Sequence, residues 1–228
     1  MIQAVIFDLD GTVLDNEYKW EEAFRGVANR NGIRCPLVGN RWIHEPGIGI
    51  SPNWEKLVEK GDRADKLSRE TWELYQMEYS QSLSLREGIV ELVSAIKEKG
   101  WLTALATGSN WDVVEKELEQ LDMYLAFDVT TTGEEVLAQK PDPEIYLLTS
   151  QKLGVDPEEC VVIEDSLAGV QAAVDAGMKV VAITSDYATR EGFEKLWGYL
   201  PAGRQDLLVD YLNEVMVVLA HHGSESKV

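Results

Sequence analysis

Apolar and polar positions along this chain follow two rhythms. Residues 2–7 form a short apolar run closed by Asp8-Leu9-Asp10-Gly11-Thr12, the pattern of a strand buried within a parallel sheet. Trp20, Ala23, Phe24, Val27 and Ala28 then recur at helical spacing and predict a helix over 17–31. Glycines and prolines crowd 32–53, which reads as loop. A second helix is expected over 64–80, with Leu67, Trp72, Leu74, Tyr75 and Tyr79 on its buried side. Trp20, Trp54 and Trp72 read more naturally as core of this helical segment than as ligand platforms.

From residue 84 strands and helices alternate. A helix over 88–99 stops at Gly100, and Leu102–Ala106 reads as a strand. A helix at 111–121, a short strand at 127–129 and a helix from Pro143 to about Leu153 follow, proline being favoured in a first helical turn. Cys160–Ile163 is a strand, 167–176 a helix closed by Gly177, and Lys179–Ile183 another strand. Leu207–Val209 is a candidate last strand before a C-terminal helix. This alternation predicts an α/β fold with a mostly parallel sheet. Residues 16–83 interrupt it after the first strand and have the size of an inserted helical domain. The expected division is a core of 1–15 and 84–228 with a helical domain of 16–83.

Composition narrows the function classes. Forty acidic residues against 21 basic ones among 228 give a net charge of −19 with histidine neutral. Phosphate backbones need clustered Lys and Arg, so a nucleic-acid-binding face is not expected, nor is an anionic membrane surface. A small phosphorylated molecule needs only a few local donors and remains compatible. Two cysteines, Cys35 and Cys160, build neither a disulfide framework nor a zinc site. The first residues lack the basic start of a signal peptide, and no apolar run is long enough to span a membrane. A cytoplasmic protein, monomeric by default, is the expectation. His221 and His222 read as solvent residues at a helix end.

In open α/β sheets ligands gather beyond the carboxyl ends of the strands. There this chain carries Asp8 and Asp10, then Thr107-Gly108-Ser109-Asn110, then Lys140-Pro141-Asp142 ahead of a helix, then Glu164-Asp165-Ser166. Asp8 and Asp165, with Glu164 as a further candidate, can give a hard Mg²⁺ ion a few oxygen ligands. A carboxylate such as Asp8 can attack phosphorus. Asp10, two residues on, can exchange a proton with the leaving oxygen. Lys140 and the Thr107 hydroxyl can neutralise phosphoryl oxygens. Ser166 reads either as part of this group or as a plain helix cap.

These four stretches, in this order and at this spacing, resemble the four motifs of the haloacid dehalogenase superfamily. Glu164 to Met178 is similar to its β-phosphoglucomutase-like branch, and the resemblance covers nearly the whole chain. It implies a Rossmann-like core with a helical cap inserted after the first motif, and Mg²⁺ as cofactor. Asp8 would be nucleophile and metal ligand. Asp10 would be general acid, then general base, with its backbone carbonyl on the metal. Thr107, Gly108, Ser109 and Lys140 would bind the phosphoryl group, and Asp165 and Glu164 would complete the metal set.

Within that superfamily the presence of Asp10 argues for phosphate chemistry over dehalogenation, since a halide leaves without a proton. Sugar phosphomutases of this branch resemble Lys-Gly-x-Ser-Arg in the cap loop, where this chain has Ile48-Gly49-Ile50-Ser51-Pro52. Both cations of the distal phosphate clamp are missing, with Arg41, His44 and Lys56 as possible substitutes. The expected function is therefore a Mg²⁺-dependent phosphatase of a small phosphorylated metabolite, with a sugar phosphomutase and a catalytically silent scaffold as alternatives. A phospho-acceptor receiver domain lacks the helical insertion. Arg41, His44 and Ile48 are the candidate specificity residues of a loop at 41–49 expected to face the site, with Trp42 packed in the cap core as the plainer alternative. His44 and Glu45 make a poor metal pair, because nothing nearby in sequence completes it.

Overall fold

The computed structural model describes residues 1–34, 44–197, 207–210 and 212–222. Six parallel strands form one sheet: β1 (Ala4–Phe7), β2 (Leu102–Ala106), β3 (Val129–Thr131), β4 (Cys160–Glu164), β5 (Lys179–Ile183) and β6 (Leu207–Val209). Their spatial order is β3-β2-β1-β4-β5-β6. β1 lies between β2 and β4, with Phe7 opposite Leu105 on one side and Ile163 on the other. The strand order reverses at β1, so the crevice beyond its carboxyl end is where such a sheet binds ligands. The fold is Rossmann-like α/β, as the alternation predicts.

Period-two side-chain alternation divides the core. Val5, Phe7, Leu105, Val161, Ile163 and Val181 face the helices α4 (Ile89–Glu98), α5 (Trp111–Gln120) and α9 (Leu212–His222). Ala4, Ile6, Ala104, Ala106, Val162 and Ala182 face α6 (Glu144–Leu153), α7 (Leu167–Asp175) and α8 (Arg190–Trp197). Small alanines on this second face leave room for the buried Tyr146 of α6.

Between β1 and α4 the chain forms α1 (Glu17–Arg30), α2 (Ile50–Glu55) and α3 (Asp62–Leu74). All five apolar positions assigned to the first helix are buried on α1. Phe24, Val27, Ala28, Trp54, Ala64, Leu67 and Leu74 pack into a cluster of their own. The expected single helix over 64–80 instead widens after Leu74 into a π turn, Tyr75–Tyr79, and then a 3₁₀ turn, Ser80–Ser82. Buried Lys19 ties this end down, its Nζ donating to the carbonyls of Tyr79 and Ser82.

Three other elements differ from expectation. α2 starts inside the stretch read as loop and runs past it: its Pro52 sits in the first turn, where a missing N–H costs nothing, and Trp54 is fully buried. β3 starts two residues late, because Asp128 spends its carboxylate on the backbone and hydroxyl of Thr103 before the ladder begins. α8 has no counterpart among the elements read from sequence. It is short and highly charged, and among its residues only Phe193 is fully buried. No helix among the described residues is long and apolar enough to cross a membrane.

Candidate active site

β1 delivers Asp8 to the crevice, with its backbone N–H on Ile163 of β4. Beyond it the chain turns sharply at Gly11, whose φ is +77°. A Cβ there would stand 2.0 Å from Asp165 Oδ2, so glycine is needed both for the turn and for the carboxylate beside it. Asp165 follows β4, and its Oδ1 accepts from the Thr12 hydroxyl at 3.2 Å. Its Oδ2 is buried without a hydrogen-bond partner. Oxygens of Asp8, Glu164 and Asp165 lie within 4.8 Å of one another.

Lys140 enters from the segment before α6 and is buried. Its Nζ donates to Asp8 Oδ1 at 2.5 Å and to Glu164 Oε1 at 2.7 Å. Glu164 is fully buried; its Oε1 also accepts from the Tyr146 hydroxyl, and its Oε2 from the Ser166 N–H and hydroxyl. A Cβ at Gly169 would fall 1.6 Å from Glu164 Oε1, which explains a glycine in the first turn of α7. The Ser166 hydroxyl also caps α7 by accepting from Gly169 N, as the helix-cap reading has it.

This center is short of positive charge. Burial pushes the Asp8 carboxyl well up; Lys140 opposes that, and Glu164 and Asp165 add to it. Asp165 is likewise raised by burial, then by Glu17 and Glu164, against Arg86. Burial alone would depress Lys140, but Asp8 and Glu164 outweigh it, so its ammonium is held. A divalent cation would relieve this repulsion and give the orphaned Asp165 oxygen a partner. The donor set is all-oxygen, which suits a hard ion. The residues fit a metal.

Asp10 sits half-buried at the same crevice. Its Oδ1 accepts from Asn16 Nδ2 at 2.6 Å and from Trp20 Nε1 at 2.8 Å, and its Oδ2 from the Ser109 hydroxyl at 3.2 Å. Thr107, at the end of β2, is buried and accepts from Ser109 N. Asp8, Asp10, Thr107, Gly108, Ser109 and Lys140 all line one cavity of about 420 Å³. Trp20, Phe24 and Trp72 line it too, as does Arg69 of α3.

The helical segment's expected residues divide. Arg41, Trp42 and Cys35 lie outside the described residues, as do the side chains of His221 and His222. His44 lines the cavity and bonds Glu17 Oε2 through Nε2 at 2.6 Å. Ile48 is buried and does not line the cavity, whereas its neighbors Gly47, Gly49 and Ile50 do. Lys56 does not reach the cavity either, being paired with Glu45. Trp20 and Trp72 are lining residues as well as packing ones, while Trp54 is core alone. Sequence reasoning missed Asn16, Glu17 and Arg69. Glu17 reads as an ordinary first-turn acid, yet it is buried, and burial, Asp10 and Glu164 raise its carboxyl well above the usual range.

Comparison with known proteins agrees with this geometry. Residues 2–177 match the family profile described as haloacid dehalogenase-like hydrolase. A Thermotoga maritima protein named phosphorylated carbohydrates phosphatase is 35% identical over 183 residues, 78% of this chain and 83% of its own length. Hexitol phosphatase B of Escherichia coli K12 is 32% identical over 206 residues, 83% of this chain and 87% of its own. The crystal structure of CbbY from Rhodobacter sphaeroides in complex with phosphate superposes with a TM-score of 0.72 at 27% identity, covering 94% of this chain and 96% of that one. The family match spans all the segments that carry Asp8, Asp10, Thr107, Lys140, Glu164 and Asp165, and the chain belongs to the haloacid dehalogenase-like hydrolase family.

Proposed function

We propose that this protein is a Mg²⁺-dependent phosphatase of a small cytoplasmic phosphorylated metabolite, a sugar phosphate or a similar compound, working through an aspartyl phosphate on Asp8. The observation that carries this reading is the convergence of Asp8, Asp10 and Lys140 on one cavity, beside a buried three-carboxylate cluster. Names of relatives at 32–35% identity support the substrate class.

Asp8 and Asp165 would hold the ion, with the Asp10 backbone carbonyl. Glu164 would stand beside it, both its oxygens already engaged by protein donors. A bound Mg²⁺ supplies positive charge to the phosphoryl oxygens and the attacking carboxylate. An Asp8 carboxylate oxygen forms a bond to phosphorus as the bond from phosphorus to the substrate oxygen breaks. Asp10 in its acid form gives its proton to that leaving oxygen. Asp10, now a carboxylate, takes a proton from water as the water oxygen attacks phosphorus. The Asp8–phosphorus bond breaks and inorganic phosphate leaves. Lys140, Thr107, Gly108 and Ser109 cradle the transferring group.

Residues 16–83 would act as a cap over the core of 1–15 and 84–228. Contact between the two is close: a Cβ at Gly47 would lie 2.3 Å from Ser166 Oγ, and the Tyr187 hydroxyl donates to Glu21 Oε2 at 2.8 Å. Such closure excludes water during the first step. A mutase needs a second phosphate clamp. Among the described lining residues Arg69 is the sole Lys or Arg besides Lys140, which favors a phosphatase.

The test is phosphate release from a panel of phosphorylated metabolites, with Mg²⁺ and with chelator. Mg²⁺-dependent release is expected. Absence of release by folded protein overturns the proposal, and interconversion of glucose phosphate isomers would then identify a mutase.

A further inference from the structure

Glu117 is a buried acid that the reaction steps do not use. It lies on α5 among Val113, Val114 and Leu118 and is 2% exposed. A carboxyl group there is costly unless it is hydrogen-bonded. Its Oε1 accepts from the Tyr75 hydroxyl at 3.2 Å. That hydroxyl accepts from Asn16 Nδ2 at 2.9 Å, and the same Nδ2 donates to Asp10 Oδ1 at 2.6 Å. The Asn16 amide is oriented because its Oδ1 accepts from Gly11 N at 3.1 Å. An amide nitrogen donates and does not accept, so the Tyr75 hydrogen has to go elsewhere, and Glu117 receives it.

We propose that Glu117 is a positioning residue for Asp10: through Tyr75 and Asn16 it holds the Asp10 carboxylate where protons pass to the leaving oxygen and from water. The inference rests on the phosphatase reading above.

The surrounding geometry supports it. Tyr75 opens the π turn, where the widened backbone leaves its ring flat against Trp20, centroids 3.7 Å apart and planes 2° from parallel. Trp20 itself donates to Asp10 Oδ1 at 2.8 Å. The Trp20 indole N–H and the Asn16 amide, itself bonded to the Tyr75 hydroxyl, thus converge on Oδ1. They leave Oδ2, beside the Ser109 hydroxyl, as the oxygen that carries the proton. Burial, with the charge of Asp10 adding to it, pushes the Glu117 carboxyl up to about 9, so at neutral pH it accepts the Tyr75 hydrogen without placing another charge behind Asp10. Glu117→Gln keeps both the acceptor and the neutrality. Glu117→Leu keeps the volume and removes the acceptor.

The experiment compares kcat/KM for the protein's preferred alkyl phosphate and for p-nitrophenyl phosphate, whose leaving group departs without a proton. Glu117→Leu is expected to lose about tenfold or more on the alkyl ester through reduced kcat, and far less on the aryl ester. Glu117→Gln should stay near wild type on both. Tyr75→Phe keeps the ring stack and should reproduce the leucine pattern, which covers the case in which Glu117→Leu does not fold. Equal losses on the two esters, or wild-type rates in both Glu117→Leu and Tyr75→Phe, overturn the proposal while leaving the phosphatase reading intact. A wild-type protein that hydrolyses neither ester overturns both.

Discussion

Replacing Glu117 by Gln should change how stability depends on pH, with a sign and a slope that follow from burial. Burial raises this carboxyl from an ordinary 4.5 to about 9; Asp10 adds to the rise, while Tyr75 and Lys19 oppose it. The charged and titratable groups that face it are therefore Asp10 after β1, Lys19 on α1 and Tyr75 in the π turn. Between those two values the folded protein keeps a proton that the unfolded chain has released. Stability must then fall as pH rises, by about 1.4 kcal/mol per pH unit for this one group. Across about three units, from roughly pH 5 to pH 8, that amounts to about 4 kcal/mol. Glutamine does not titrate, so the variant escapes the loss. Other raised acids such as Asp8, Glu17 and Asp165 are common to both proteins and cancel in the difference. The assay is urea unfolding of wild type and Glu117→Gln at several pH values, in chelator so that metal binding does not contribute. The stability difference should move steadily in favor of the variant as pH rises through this window. A difference independent of pH would refute the buried neutral acid.

Three further outcomes follow from single contacts. Gly11→Ala places a Cβ against Asp165 at a positive φ, and should cost more than about 1 kcal/mol in unfolding free energy and weaken Mg²⁺ binding in calorimetry; wild-type affinity would contradict the placement of the ion. Trp20→Phe keeps the stack on Tyr75 but loses the donor to Asp10. It should lower kcat at nearly constant KM, by an amount matching the roughly 1.5–3 kcal/mol of a hydrogen bond to a charged group. Arg69→Ala removes the one Lys or Arg besides Lys140 among the described lining residues, and should raise KM for a substrate bearing a second anionic group while sparing a neutral sugar monophosphate.

Strand ends were the most legible part of this chain. An apolar run that stops at a carboxylate, as Ile6-Phe7-Asp8 and Ile163-Glu164-Asp165 do, places the acid at the mouth of the sheet whatever the loops do. Asp8, Asp10 and Thr107 follow strands, Lys140 precedes a helix, and the structure brings all four to one cavity. Residues of the helical segment were harder, because periodicity records burial without saying what a buried side chain touches. Trp20 sits on the apolar stripe of α1 and also bonds Asp10. Glu117 looks like one of several surface acids on α5 until the fold covers it. The π turn that seats Tyr75 has no sequence signal distinct from a continuing helix. Ile48 shows a related limit: an apolar residue in a glycine-rich loop can face the ligand or the core, and here Pro46 and Gly47 line the cavity while Ile48 is buried and does not.

Covalent chemistry at Asp8 is the center of this account, and trapping it is the most direct test. The protein would be mixed with its preferred phosphate monoester and Mg²⁺, quenched in acid during turnover, and mapped by peptide mass spectrometry. A phosphoryl adduct on the peptide carrying Asp8 is predicted, absent from Asp8→Asn, which should stay folded and release no phosphate. Turnover by wild type with no adduct at Asp8, together with undiminished phosphate release by Asp8→Asn, would contradict it.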